Sequence, residues 1–89
     1  MIRATVTIIN KLGLHARASA KLNKLANEFS CRITLEKDGR KADAKNIMSL
    51  MMLAASKGTD VILETEGEDE QAAFDAVTGL INNFFEEGE

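Results

Sequence analysis

The sequence predicts an α+β fold: an open-faced two-layer sandwich, with a four-stranded antiparallel sheet covered on one face by three helices, in the order β-α-β-β-α-β-α. Three observations carry that prediction. Short stretches rich in β-branched residues alternate apolar and polar side chains, as strands do when one face is dry and the other wet. Two longer stretches place apolar residues at i, i+4, i+7, i+8 and i+11, one stripe of a helix. Asp38-Gly39 is a strong signal for a two-residue hairpin turn. The 89 residues predict a single domain spanning 1–89, long enough to bury roughly 60–65% of its unfolded surface without staples.

The elements follow in order. Residues 2–9 form a first strand, with Ile2, Ala4, Val6 and Ile8 on one face. Residues 10–13 form a loop that pivots on Gly13. A helix over 16–28 carries the stripe Ala18, Leu22, Leu25, Ala26 and Phe29, with Arg17, Lys21 and Lys24 along a cationic edge. Cys31 to Lys37 is a strand that the hairpin joins to Arg40–Ala44. Straight-chain Met and Leu favour a short helix over 46–53, and Asp60–Gly67 is the fourth strand. The last helix spans 69–85, striped by Ala73, Val77, Leu80, Ile81 and Phe84. Glu68, Asp69 and Glu70 crowd its first turn, where the macrodipole favours them. Residues 86–89 are expected to fray.

Composition excludes several classes. No apolar run approaches the ~20 residues of a membrane span, so membrane insertion is not expected. The N-terminus has no signal-peptide pattern. Cys31 stands alone, so there is no internal disulfide, and a cytoplasmic location is expected. Ten of the eleven Lys and Arg lie in residues 1–45, and ten of the fourteen acids lie after them. A basic half can bind nucleic acid, a phosphate or an acidic protein. The absence of Trp and Tyr, with the four Phe mostly on or beside helical stripes, leaves few rings for bases to stack on and favours the acidic protein.

The chemistry converges on His15, the only histidine, at the predicted start of the first helix. Alone, a histidine there reads most simply as a surface residue or a cap. Metal binding is not expected: there is no second His, and Cys31 falls on a core face. No cofactor motif is present. Ser19 lies one turn on, with no oxyanion hole suggested, so hydrolase chemistry is disfavoured. The sharper reading makes His15 a nucleophile, since a neutral imidazole is available near pH 7. The backbone N–H groups of Ala16 and Arg17, with Ala18 beside them and the Arg17 guanidinium as countercharge, would receive phosphate oxygens. Nothing nearby would orient a water to hydrolyse the product. A second feature is Ile47 to Leu53, too apolar for one short helix. Leu50 and Leu53 are expected inward, with some of Ile47, Met48 and Met51 exposed as a patch.

The segment Lys11-Leu12-Gly13-Leu14-His15-Ala16-Arg17 resembles the active-site signature of the histidine-containing phosphocarrier (HPr) family of the bacterial phosphoenolpyruvate-dependent phosphotransferase system. Similarity extends over essentially the whole chain, including the β-α-β-β-α-β-α order, the Ala44–Leu53 region and the Glu64–Gln71 stretch. The resemblance implies a phosphocarrier rather than an enzyme. His15 would be phosphorylated on Nδ1 by phospho-Enzyme I and would pass the group to the A domains of sugar-specific permeases, or serve a nitrogen-related regulatory branch. Arg17 would stabilise the phosphate, and Lys21, Lys24, Ile47, Met48 and Met51 would dock the partners. A monomer is expected. Two positions depart from the family pattern. Ala18 replaces a usual proline, and Asn46 stands where some members carry a regulatory serine, so that input is not expected here.

Overall fold

A computed structural model describes residues 1–87 of the chain. Its elements are β1 (Ile2–Thr7), α1 (Ala16–Ala26), β2 (Arg32–Lys37), β3 (Arg40–Asp43), α2 (Ile47–Met52), β4 (Asp60–Glu66) and α3 (Glu70–Asn82), followed by a 3₁₀ turn at Phe84–Glu86. The four strands form one sheet in the order β1-β4-β2-β3, antiparallel throughout. The predicted α+β sandwich is the observed one.

Alternation decides which face is dry. Ile33 and Leu35 of β2 and Val61, Leu63 and Thr65 of β4 are buried against Leu22, Ala26, Ala73, Val77 and Ile81 of the helices. Each fully buried Leu or Ile contributes about 1.5–3 kcal/mol. On the outer face Arg3 reaches across the strands to Glu64 at 2.9 Å and Glu36 at 3.8 Å. Asp38 and Gly39 both take positive φ, 51° and 80°, as a hairpin turn of the favoured hand requires.

Where the boundaries differ from expectation, the chain uses its backbone groups in another way. Past β1, Ile8 still exchanges hydrogen bonds with Gly58 and Thr59, but Ile9 and Asn10 leave the sheet. The first helix stops at Ala26, and Glu28 and Phe29 bond to carbonyls three residues back as a tightened exit. The largest departure is at the C-terminal end. The last helix ends at Asn82, and Phe84, Phe85 and Glu86 follow with φ of 55°, 52° and 65°. Left-handed backbone at a non-glycine residue costs about 1–2 kcal/mol, so three in a row need support. The reversal rotates the apolar register by one residue: Phe85, not the expected Phe84, is fully buried. Lys21 Nζ donates to the Phe85 carbonyl at 2.8 Å and holds the turn against α1.

In the acidic cluster at the start of α3, Glu70 lies in the first turn as expected, and the carboxylates have specific partners as well. The Asp69 carboxylate accepts the backbone N–H groups of Ser30 and Cys31 at 2.8 and 2.9 Å. Those bonds, the Ser30 N–H foremost, hold its carboxyl below the usual range despite an opposing effect of burial. Glu70 pairs with the N-terminal ammonium at 2.9 Å and with the Gly67 N–H.

Candidate functional site

The site begins in the loop between β1 and α1. Asn10 is fully buried, and its Nδ2 donates to the Gly13 carbonyl at 2.8 Å. Gly13 has φ +67°, and a Cβ there would fall 2.4 Å from the Ala55 carbonyl oxygen and 2.7 Å from the Ser56 Cα. Only glycine allows this approach. Leu14 N–H then donates to the Ala55 carbonyl at 2.8 Å. The loop is thereby fixed to the segment that leaves α2, and the next residue, His15, is delivered to the start of α1.

His15 is the N-cap of α1, in extended conformation, with Nδ1 accepting the Arg17 N–H at 3.3 Å. An accepting Nδ1 carries a lone pair, so in the neutral ring the proton resides on Nε2. Nε2 faces the Glu87 carboxylate, Oε2, at 2.7 Å. The other oxygen of Glu87 accepts from Asn10 Nδ2 at 3.0 Å. Burial pushes the Glu87 carboxyl upward, but hydrogen bonds from Asn10 and His15, then the charges of His15 and Lys21, outweigh it, and the net shift is downward. The His15 side chain is about a quarter exposed, at 26%. Lys11, Leu12, Arg17, Lys21, Glu86 and Glu87 line an open cleft beside it.

Several expected residues are placed differently from the sequence reading. The Arg17 N–H, taken as open for an anion, is occupied by Nδ1 and would have to exchange partners. Ala18 turns its side chain into the core with no exposure, as its place on the apolar stripe predicts, so only its backbone faces the helix end. Ser19 is buried and donates to the Leu14 carbonyl. The basic edge is not free along its length: Lys21 holds the terminal turn, and Glu86 borders the clefts on both sides of Lys21. Lys24 remains exposed. Glu87, assigned to a fraying tail with Glu86, Gly88 and Glu89, is instead fixed against His15; Gly88 and Glu89 lie outside the described residues.

The second feature falls as its pattern predicts. Leu50 and Leu53 are buried, Ile47 is half-buried, and Met48 and Met51 are 61% and 38% exposed. Met52, not singled out from the sequence, is the most exposed of the three methionines at 64%. Asn46 caps α2, its Oδ1 accepting the Ser49 N–H at 3.2 Å.

Residues 2–83 match the family model described as "PTS HPr component phosphorylation site". The chain belongs to the HPr family. It is 57% identical to the phosphocarrier protein HPr of Cupriavidus necator and 51% identical to that of Neisseria meningitidis, over the full length of both chains in each case. It is 45% identical to the phosphocarrier protein NPr of Shewanella violacea, over 92% of this chain and 90% of that one. Among solved structures, an HPr from Thermoanaerobacter tengcongensis superposes with TM-score 0.94 at 45% identity, covering 98% of each chain. An HPr from Bacillus anthracis gives 0.87 at 36% identity, over 90% of this chain and 95% of that one. The HPr-family chain is therefore a phosphocarrier of the phosphotransferase system, not a catalytic enzyme. Among its described residues no helix is long and apolar enough to cross a membrane.

Proposed function

We propose that this chain, acting as one domain, accepts a phosphoryl group on His15 Nδ1 from phospho-Enzyme I and delivers it to the A domains of sugar-specific permeases. The observation that supports this most directly is the orientation of the ring: its lone-pair nitrogen faces the N-terminus of α1, at the Arg17 N–H. In the transfer, the Nδ1 lone pair attacks phosphorus as the donor's N–P bond breaks, and that bond's electron pair returns to the donor imidazole. The Arg17 N–H then exchanges Nδ1 for a phosphate oxygen, and Ala16 presents the neighbouring helix-end donor, with Ala18 beside it. The Arg17 guanidinium, exposed beside the cleft, folds over the group as countercharge. Positioning and charge stabilisation account for most of what phosphoryl transfer needs.

Partners dock on Ile47, Met48 and Met51, extended by Met52, with Lys21 and Lys24 supplying charge for acidic surfaces. Flexible methionines suit a surface that meets successive partners of different shape. A second reading, a nitrogen-related regulatory carrier, is favoured by the likeness to an NPr.

Labelling with phosphoenolpyruvate and Enzyme I of each branch tests both. Wild type should take one acid-labile, base-stable phosphoryl group, and His15→Ala none. A label retained in that variant would sink the assignment. The Enzyme I that labels faster identifies the branch. Arg17→Ala should slow labelling by about tenfold or more, whereas Ala18→Pro, at a helical position whose N–H lacks an intrahelical partner, should be nearly neutral.

A further inference from the structure

We propose that Glu87 is a positioning residue for phosphoryl transfer: its carboxylate holds the proton of His15 on Nε2, keeps Nδ1 as the nucleophile, and supports the positive charge the ring gains as the N–P bond forms. This rests on the phosphocarrier reading above.

The geometry is that of an oriented base. His15 is gripped at both nitrogens, by the Arg17 N–H at Nδ1 and by Glu87 Oε2 at Nε2, 2.7 Å away. A ring bound in this way has one tautomer available, just as a buried carboxylate fixes the imidazole of a Ser-His-Asp triad. When Nδ1 gives its electron pair to phosphorus, the ring becomes cationic and Nε2 keeps its hydrogen. The carboxylate across the ring then faces a charge of opposite sign. No proton has to move, and no further reactant is needed.

Glu87 is itself held in place. Asn10 Nδ2 donates both to Glu87 Oε1 and to the Gly13 carbonyl, so one buried side chain sets the carboxylate and the loop that carries His15. The three left-handed residues before Glu87 aim it back across α1, anchored by the buried Phe85 ring and by Lys21 on the Phe85 carbonyl. A strained turn with that much anchoring marks a position whose geometry is used. A glutamate carboxyl shifted downward is ionised at neutral pH, as the role requires.

The test uses the full-length chain, in which a single histidine makes the ring signals unambiguous. Nitrogen-15 spectra of the neutral His15 ring read the tautomer, and initial labelling rates with phosphoenolpyruvate-charged Enzyme I read transfer. For wild type, Nε2–H should dominate. In Glu87→Gln, whose amide can offer a hydrogen to Nε2, the Nδ1–H form should rise severalfold and labelling should slow by roughly tenfold, with one group still accepted per chain. Glu87→Ala should slow labelling similarly, with the amide spectrum away from the site unchanged. An unaltered tautomer and rate in both variants overturns the proposal. Faster labelling also overturns it, because the carboxylate would then obstruct the incoming group. If wild type takes no label from either Enzyme I, the phosphocarrier reading fails, and the tautomer spectra still decide whether Glu87 orients the ring.

Discussion

Two helices in this molecule begin with a side chain folded back on the backbone, and the two caps differ in kind. At α2, Asn46 Oδ1 accepts the Ser49 N–H at 3.2 Å, and asparagine is among the residues that helix N-termini favour most. At α1, His15 Nδ1 accepts the Arg17 N–H at 3.3 Å, a role that histidine is not favoured to fill. The first cap is explained by local stability alone. The second is held from outside, by Glu87 on the far nitrogen and by a loop fastened to Ala55. Stability accounts for the residue at one helix start; the proposed phosphoryl acceptor accounts for the residue at the other.

The largest effect that can break this contrast is at the loop that delivers His15. Gly13→Ala puts a methyl into the Ala55–Ser56 backbone at a positive φ, and should cost at least ~2 kcal/mol in chemical denaturation. A neutral result would mean that the loop is not fastened as described. Next comes the ordinary cap: Asn46→Ala should lose about 1 kcal/mol with no change in labelling rate, and Asn46→Ser should recover most of that stability. The smallest effect sharpens the contrast. His15→Asn should leave stability equal or slightly raised while abolishing phosphoryl acceptance, because a better cap replaces a reactive one. A clear loss of stability in His15→Asn would show that the Glu87 contact supports the fold as well as the ring.

Acid provides an independent measure. The carboxyls of Asp69, Glu70 and Glu87 are all held below their usual range in the folded chain. A depressed folded pKa contributes stability above the unfolded value, and that contribution is lost as pH falls through the folded one. The urea midpoint should therefore hold steady down to the ordinary carboxyl range, about pH 4, and fall below it. Asp69→Asn should lower the plateau and flatten the fall.

The layers, strand pairing and most of the core were legible because period-two and period-3.6 patterns report burial directly. The placement of His15 at the start of α1, with Arg17 in its first turn, was legible from a loop followed by a helical stripe; by position alone it read as a cap, and the family resemblance pointed to a site. The exposed Met48 and Met51 followed from a surplus of apolar residues over what one short helix can bury. Glu87 was not legible. Polar residues at a chain end resemble solvated tail, and nothing local signals that Phe84 to Glu86 turn left-handed and bring a carboxylate back to a residue 72 positions earlier. Asn10 was missed for a related reason: in sequence a loop asparagine reads as a turn former, whereas here it is a buried clasp between two distant segments.

The strand order has a consequence for how the chain reaches its fold. β4 is the last strand to be synthesised, yet it lies between β1 and β2 and pairs with both. The β2–β3 hairpin can close on its own, with contacts only a few residues apart. β1 has no strand to join until Asp60–Glu66 has emerged, so the pairing Ile2↔Thr65 closes a loop of most of the chain. Such long-range closure slows folding. During synthesis β1 waits with its edge exposed, and the helix that carries His15 meets the Phe85–Glu87 clasp only after α3 has emerged.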